Sequence, residues 1–341
     1  MISQNDDNAD GRLAALNDWI SGIETVAGCE PVPASADASF RRYFRLQKGA
    51  ESFIAMDAPP SQEDCLPFVR IAGFLESMRL SSPRIIEADI EKGFLLLSDL
   101  GSEQYLDKLV EEPHLADSLY GDAIDALLVM QRRGEAYQTA LPPYSEKLLR
   151  FELSLFHDWL CGTHLKMQLS DDDERSWQAC CDMLVETAQR QPQVFVHRDY
   201  HSRNLMVLNE DNPGILDFQD AVEGPFTYDL VSLLKDCYVR WPAEKVRRWA
   251  LDYYEKLSDN TRTQIDEQQF LRYFELMGVQ RQLKAAGIFC RLSHRDGKDW
   301  YLNDVPRTLE YIIELGPRHE DLGFLVRLIE ERVMPAWRKA E

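Results

Sequence analysis

No apolar run in this 341-residue chain approaches the roughly 18 residues needed to cross a bilayer as a helix, which argues against a membrane-spanning protein. Positive charge is in deficit: 38 Lys and Arg stand against 58 Asp and Glu, a net charge of -20. Such a chain repels polyanions, so sequence-independent binding to nucleic acid or to an anionic membrane surface is not expected. Cysteine is sparse. There are seven, an odd number without repeated spacing, and Cys180 and Cys181 are adjacent within a helical pattern, which suits neither a disulfide framework nor a zinc site. Reduced, mostly buried thiols are expected instead. The opening residues "MISQNDDNADG" have neither the basic nor the apolar region of a secretory leader, and the cytoplasm is the expected location. Internal repeats and low-complexity segments are lacking too.

What is present is an ordinary globular composition, 45% hydrophobic and 28% charged, on a chain longer than one core usually organises. Two lobes are expected. Residues 31–97 carry short strand patterns, "SFRRYFRLQ", "SFIAMDAP" and "GFLLLSDLG", interrupted by one helix from about Asp64 to Arg79. A helix from Asn8 to Gly28 precedes them. Beyond Gly101 the pattern is helical, with helices expected at Leu115 to Arg133, Ser145 to Gln168, Asp171 to Gln191, Tyr228 to Arg240, Glu267 to Leu292 and Asp321 to Lys339. The expectation is an α+β chain: a strand-rich lobe over residues 1–97, a connector at 98–101, and a helical lobe over 102–341.

One stretch breaks the helical pattern. "VFVHRDYHSRNLMVLNEDNPGILDFQDA" reads as strand, polar loop, strand, Asn-Pro-Gly turn and strand. It sets Asn204 at the start of one strand and Asp217 at the end of the next, with Asp199 on the loop before them. Two oxygen ligands on adjacent strand ends suit Mg²⁺, which takes few protein ligands and keeps water and phosphate oxygens. A third carboxylate close by can orient a hydroxyl and accept its proton. Those are the parts of phosphoryl transfer.

"HRDYHSRN" matches H-R-D-x-x-x-x-N at every fixed position, and "LDF" follows with its aspartate 13 residues after Asn204. The segment resembles the catalytic region of the protein-kinase-like fold. Protein-kinase features are missing, however: there is no G-x-G-x-x-G-x-V, no V-A-I-K and no A-P-E. "ASADASFRRYFRL" stands where the phosphate-covering loop belongs, and "FIAMDAPP" puts Met56 where the family carries its lysine. Arg41, Arg42 or Arg45 can supply that charge, and Glu63 is a candidate for the ion pair.

The chain is more similar to the aminoglycoside phosphotransferase superfamily of small-molecule kinases, over residues 30–240. The resemblance implies a two-lobed protein-kinase-like fold, ATP as co-substrate, Mg²⁺ on Asn204 and Asp217, and Asp199 as catalytic base. It implies nucleotide contacts at Ser39, Arg41, Arg42 and the connector residues Ser98, Asp99 and Leu100. His197 and Asp229 would support the loop. Acceptor contacts are expected at His201, Arg203, Gln219, Asp220 and Arg281. "DASFRRYFRL", "AMDAPP", "GILDFQDAVEGP", "QRQLKAAGIFCRL" and "RDGKDWYLNDVPR" further resemble the branch that phosphorylates N-acetylated amino sugars at the anomeric hydroxyl. Between Arg281 and Lys298 five basic residues face a single acid, Asp296, a patch suited to an anionic substrate. A kinase of another small molecule, or a nucleotide-binding pseudokinase, are the alternatives.

Overall fold

The computed structural model describes residues 3–36 and 40–340. The chain divides into two compact units: Met1–Glu103 with Met206–Asp220, and Gln104–Leu205 with Ala221–Glu341. The segment 206–220, which carries Asp217, is thus grouped with the strand-rich part of the chain.

In the first unit a helix α1 (Ser3–Ser21) leads into five strands: β1 (Val32–Ala36), β2 (Arg42–Lys48), β3 (Glu51–Asp57), β4 (Ile85–Asp89) and β5 (Phe94–Ser98), with α2 (Leu66–Ser77) between β3 and β4. The sheet order is β1-β2-β3-β5-β4, all neighbours antiparallel. The β2–β3 hairpin runs in unbroken register from Arg42 opposite Asp57 to Lys48 opposite Glu51, closed by Gly49 at φ +63°. Alternation along β2 buries Phe44 and Leu46, which pack with Leu16, Ile20, Val26, Ala55, Phe94 and Leu96 into one core. The helix expected to run to Gly28 ends at Ser21 and continues as turns to Gly28, whose φ of +81° favours glycine.

The second unit holds α3 (Tyr105–Glu111), α4 (Ala116–Gly134), α5 (Glu146–Leu155), α6 (Asp171–Gln189) and the strand β6 (Gln193–Val196). The next strands along the chain, β7 (Leu205–Met206) and β8 (Gly214–Ile215), are short, the "LMVL" and "GILDF" runs forming strand over only two residues each, and from Met206 to Asp220 the chain is grouped with the first unit. Then come β9 (Val222–Pro225), α7 (Tyr228–Leu234), α8 (Ala243–Glu255), α9 (Asp259–Gln264), α10 (Glu267–Asp296), α11 (Val305–Ile313), α12 (Gly323–Leu328) and α13 (Met334–Ala340). β6 pairs antiparallel with β9, Val196 opposite Val222.

The 30-residue α10 is the axis of this unit. Asp266 caps its start by accepting from Gln269 N at 2.8 Å, and Gly297 ends it in a left-handed turn at φ +68°. It packs against α5, α6, α7 and α11. Where it crosses the end of α5, a Cβ on Gly287 would lie 2.2 Å from the Leu155 carbonyl carbon. Backbone cannot step aside as a side chain can. Gly287→Ala is therefore expected to destabilise the protein by about 3 kcal/mol, measured by chemical denaturation.

Candidate active site

The candidate loop is held from behind before any chemistry is considered. β6 ends at Val196, His197 is fully buried, and Arg198 turns the chain through a left-handed φ of +79°. A non-glycine residue there costs on the order of 1–3 kcal/mol and persists only where neighbours impose it. Asp229, in the first turn of α7, does so: its carboxylate accepts from the backbone N–H of His197 at 2.7 Å and of Arg198 at 3.0 Å. Burial pushes the Asp229 carboxyl up to about 7, against the pull of those two donors and of Arg281. His197 Nδ1 accepts from Asp199 N at 3.2 Å.

The Arg198 side chain is fixed as firmly. Its guanidinium donates to Glu152 at 2.7 Å, and Glu152, on α5, is only 2% exposed. The same carboxylate receives Lys284 at 3.1 Å, Gln280 at 3.1 Å and the Tyr144 hydroxyl. Lys284 also donates to the Tyr228 hydroxyl at 2.9 Å. Burial works against the Glu152 charge, but Lys284 and Arg198 outweigh it and hold the group below the usual carboxylate range.

Asp199, half-buried, projects from this braced turn. Its burial would raise its pKa, yet Lys284, Arg281, His201 and Arg198 together hold it far below the ordinary value. It is a carboxylate at any physiological pH. Asn204 folds back to donate its side-chain N–H to the Asp199 carbonyl at 2.9 Å, so the other polar atom of the amide is an acceptor oxygen. Between them Ser202 is tied to Asp236 through its N–H, at 3.0 Å, and its hydroxyl. His201 lies edge-on to Tyr238, and Arg203 stacks over that ring with 4.3 Å between guanidinium carbon and centroid. Arg281 is buried, donating to the Ser232 hydroxyl rather than opening to solvent.

In the first unit, Asp217 has a left-handed φ of +59° and accepts from Gln219 Nε2 at 2.7 Å. Phe218 anchors the segment by packing on Phe68, ring centroids 4.8 Å apart. Gln219 is buried and turned to Asp217, whereas Asp220 is exposed. Met56 is fully buried on β3, opposite Tyr43 and Leu95, so a thioether fills the lysine's place. Arg41 pairs with Glu63 at 2.9 Å, and although burial opposes its charge, Tyr43, Glu63, Asp217 and Asp220 sustain it. Arg42 is committed with Arg12 to the buried Asp57. Arg45 takes Asp99 at 2.6 Å and the Gly101 carbonyl at 2.8 Å. Burial again disfavours the Asp99 charge, but Arg45, Ser52 and the Gly101 N–H hold it low. Ser98 exchanges bonds with Arg84, its N–H donating to the Arg84 carbonyl at 2.9 Å. Leu100 closes over Gly214. Ser39 lies outside the described residues.

Of the sequence-expected residues, Asp199, Asn204, His201, Arg203, Arg281, His197 and Asp229 fall together in the second unit, and Asp217, Gln219, Asp220, Arg41, Ser98, Asp99 and Leu100 in the first. The five basic residues after Gln280 do not form one surface: Arg281 and Lys284 are buried, and Arg295 pairs with Asp296 at 2.7 Å. Glu152 and Asp236 lie outside the sequence-expected residues, and Lys284 is among them only as one of the basic run after Gln280. A signal for Glu152 existed, since it occupies an apolar-spaced position with Leu149, Leu153 and Phe156, where an acid must have a partner.

Residues 30–267 match the phosphotransferase enzyme family, a span that includes both the candidate loop and Asp217. The N-acetylmuramate/N-acetylglucosamine kinase of Pseudomonas aeruginosa is 48% identical over 332 residues, 94% of this chain and 96% of that protein. The protein of the same name from Neisseria meningitidis is 37% identical over 329 residues, again 94% of this chain and 96% of its own. Among solved structures, choline kinase LicA from Streptococcus pneumoniae shares the fold with a TM-score of 0.60 at 11% identity, covering 87% of this chain and 97% of its own. The five-stranded antiparallel sheet and the helical remainder are those of a protein-kinase-like fold. Two relatives matched over nearly their full length, and a family match through the whole motif region, make this chain a member of the phosphotransferase enzyme family.

Proposed function

We propose that the protein transfers the γ-phosphate of ATP to the anomeric hydroxyl of an N-acetylated amino sugar, N-acetylmuramate or N-acetylglucosamine, in the recycling of cell-wall sugars. The observation that carries the phosphoryl-transfer reading is Asp199, kept ionised on a loop whose backbone is braced by Asp229 and on which Asn204, five residues on, supplies an oxygen. The acceptor reading rests on the relatives' names and their near full-length match.

The donor chemistry fits Mg²⁺. Among the described residues no three His, Cys, Asp or Glu side chains cluster to hold a metal on their own. Asn204 and Asp217 offer hard oxygens only, which suits a cation that retains water and phosphate oxygens. When bound, the ion would neutralise charge on the phosphates. Asp199 accepts the hydroxyl's hydrogen bond and so aims its oxygen; Arg41, with Glu63 as its partner, takes over the charge that Met56 lacks. Because the Asp199 carboxylate is a weak base, its part is orientation first and proton acceptance late in the transfer. Seven free cysteines, six of them buried, support a reducing cytoplasm as the working compartment.

A panel of sugars with ATP and Mg²⁺, followed by ³¹P NMR, tests the reading. A phosphate coupled to the C1 proton of an N-acetylated amino sugar is the expected product, and Asp217→Ala should abolish it. Phosphorylation confined to other acceptors would overturn the assignment.

A further inference from the structure

Beside the catalytic loop the second unit carries an aromatic cluster for which the steps above have no use. Tyr301 stacks on Phe289, centroids 5.5 Å apart and planes 16° from parallel, and Phe289 in turn meets Tyr238 at 6.2 Å. Trp300 adjoins Tyr301 at 5.8 Å and is 58% exposed, an unusual setting for so large an apolar ring. Arg203 joins the cluster to the loop, its guanidinium 4.3 Å from the Tyr238 centroid and 5.9 Å from that of Tyr301. Arg203 is four residues past Asp199. Alongside it the His201 ring meets Tyr238 edge-on at 5.4 Å, and its Nδ1 is buried without a partner among the described residues.

We propose that Trp300 and Tyr301 form the shelf on which the pyranose ring of the acceptor lies, with Arg203 and His201 reading its polar substituents. The inference rests on the amino-sugar reading of the function and adds the residues that select the acceptor. A pyranose presents an apolar C–H face on one side and hydroxyl or amide groups around its edge. Flat, wet aromatic rings bordered by a guanidinium and an imidazole nitrogen match both aspects. A lone patch of exposed rings would not suffice, but here the patch is tied to the loop that carries the reacting carboxylate. The guanidinium favours sugars bearing a carboxylate over those without one.

Trp300→Ala and Tyr301→Ala are to be assayed with N-acetylglucosamine and N-acetylmuramate under saturating Mg·ATP. Each should raise the sugar KM about 10-fold while kcat and the KM for ATP stay within about 2-fold. In the absence of nucleotide, sugar should change the intrinsic tryptophan fluorescence of the wild type, and Trp300→Phe should remove that change. An unchanged sugar KM in both alanine variants overturns the shelf and leaves the amino-sugar kinase standing. A wild type that phosphorylates neither sugar overturns the kinase reading, and the shelf with it.

Discussion

Asp199→Asn is expected to lower kcat by about 10³-fold while nucleotide affinity stays within about 2-fold. Asparagine keeps the size and one acceptor oxygen of the native side chain but loses the negative charge that receives the acceptor's proton. It also leaves Lys284, Arg281 and Arg198 facing a neutral group, so a thermal melt should accompany the kinetics to show that the variant is folded. The same surroundings set the pH dependence. Because these cations hold the Asp199 pKa far below that of an ordinary aspartate, the group does not gain a proton as pH falls toward 5. The wild-type kcat should therefore show no loss attributable to this carboxylate between about pH 5 and 8. Steady-state rates and calorimetric nucleotide titration decide the matter. A variant within tenfold of the native kcat would remove Asp199 from the chemistry.

Glu152→Gln should cost about 3–5 kcal/mol, because it strips the shared anion from two buried cations, Arg198 at 2.7 Å and Lys284 at 3.1 Å. On a chain of this size that corresponds to a fall in melting temperature on the order of 10 °C. The native Glu152 has a folded pKa below its unfolded value of 4.5, so its contribution is complete above that pH and is lost as pH falls toward the folded value. The gap in melting temperature between native protein and variant should thus be widest near neutrality and narrow on acidification below about pH 4.5. Glu152→Asp, which keeps the charge on a shorter stem, should recover part of the loss. An equal gap at every pH would show that shape rather than charge is what Glu152 contributes.

How far the sequence could be read follows from what its signals encode. "HRDYHSRN" and the aspartate 13 residues on stand out in the sequence because the phosphoryl transfer proposed above would need side chains of those types at fixed chain spacing. Helices with a long apolar period, such as α4, α6 and α10, were legible for the same reason. Less could be had where partners come from far along the chain. "LMVL" and "GILDF" are apolar enough for full strands, but their side chains are buried by packing, Phe218 on Phe68, rather than by extended pairing. β9 contains glycine and proline and is held as a strand by its pairing with β6 and by the backbone bonds of Glu223 to Pro142 and Tyr144. The helix expected to reach Arg240 stops at Leu234, and Asp236 just beyond it turns to serve Ser202 and the N–H of Tyr238. The long helix expected after Asp321 is interrupted by a π-helical stretch at Ile329–Val333. The basic run after Gln280 read as surface because composition carries no sign of which face of α10 is inward; Lys284 and Arg281 are instead the inner cations of the site.

The anion that secures Arg198 belongs to α5 and is enclosed when the protein folds. Enzymes that leave the matching arginine waiting for an added phosphate have an off state, released by a second enzyme. This chain supplies that charge from its own interior, so the turn that carries Asp199 is set from the moment of folding. Arg198 therefore needs no phosphate added later to hold it in place.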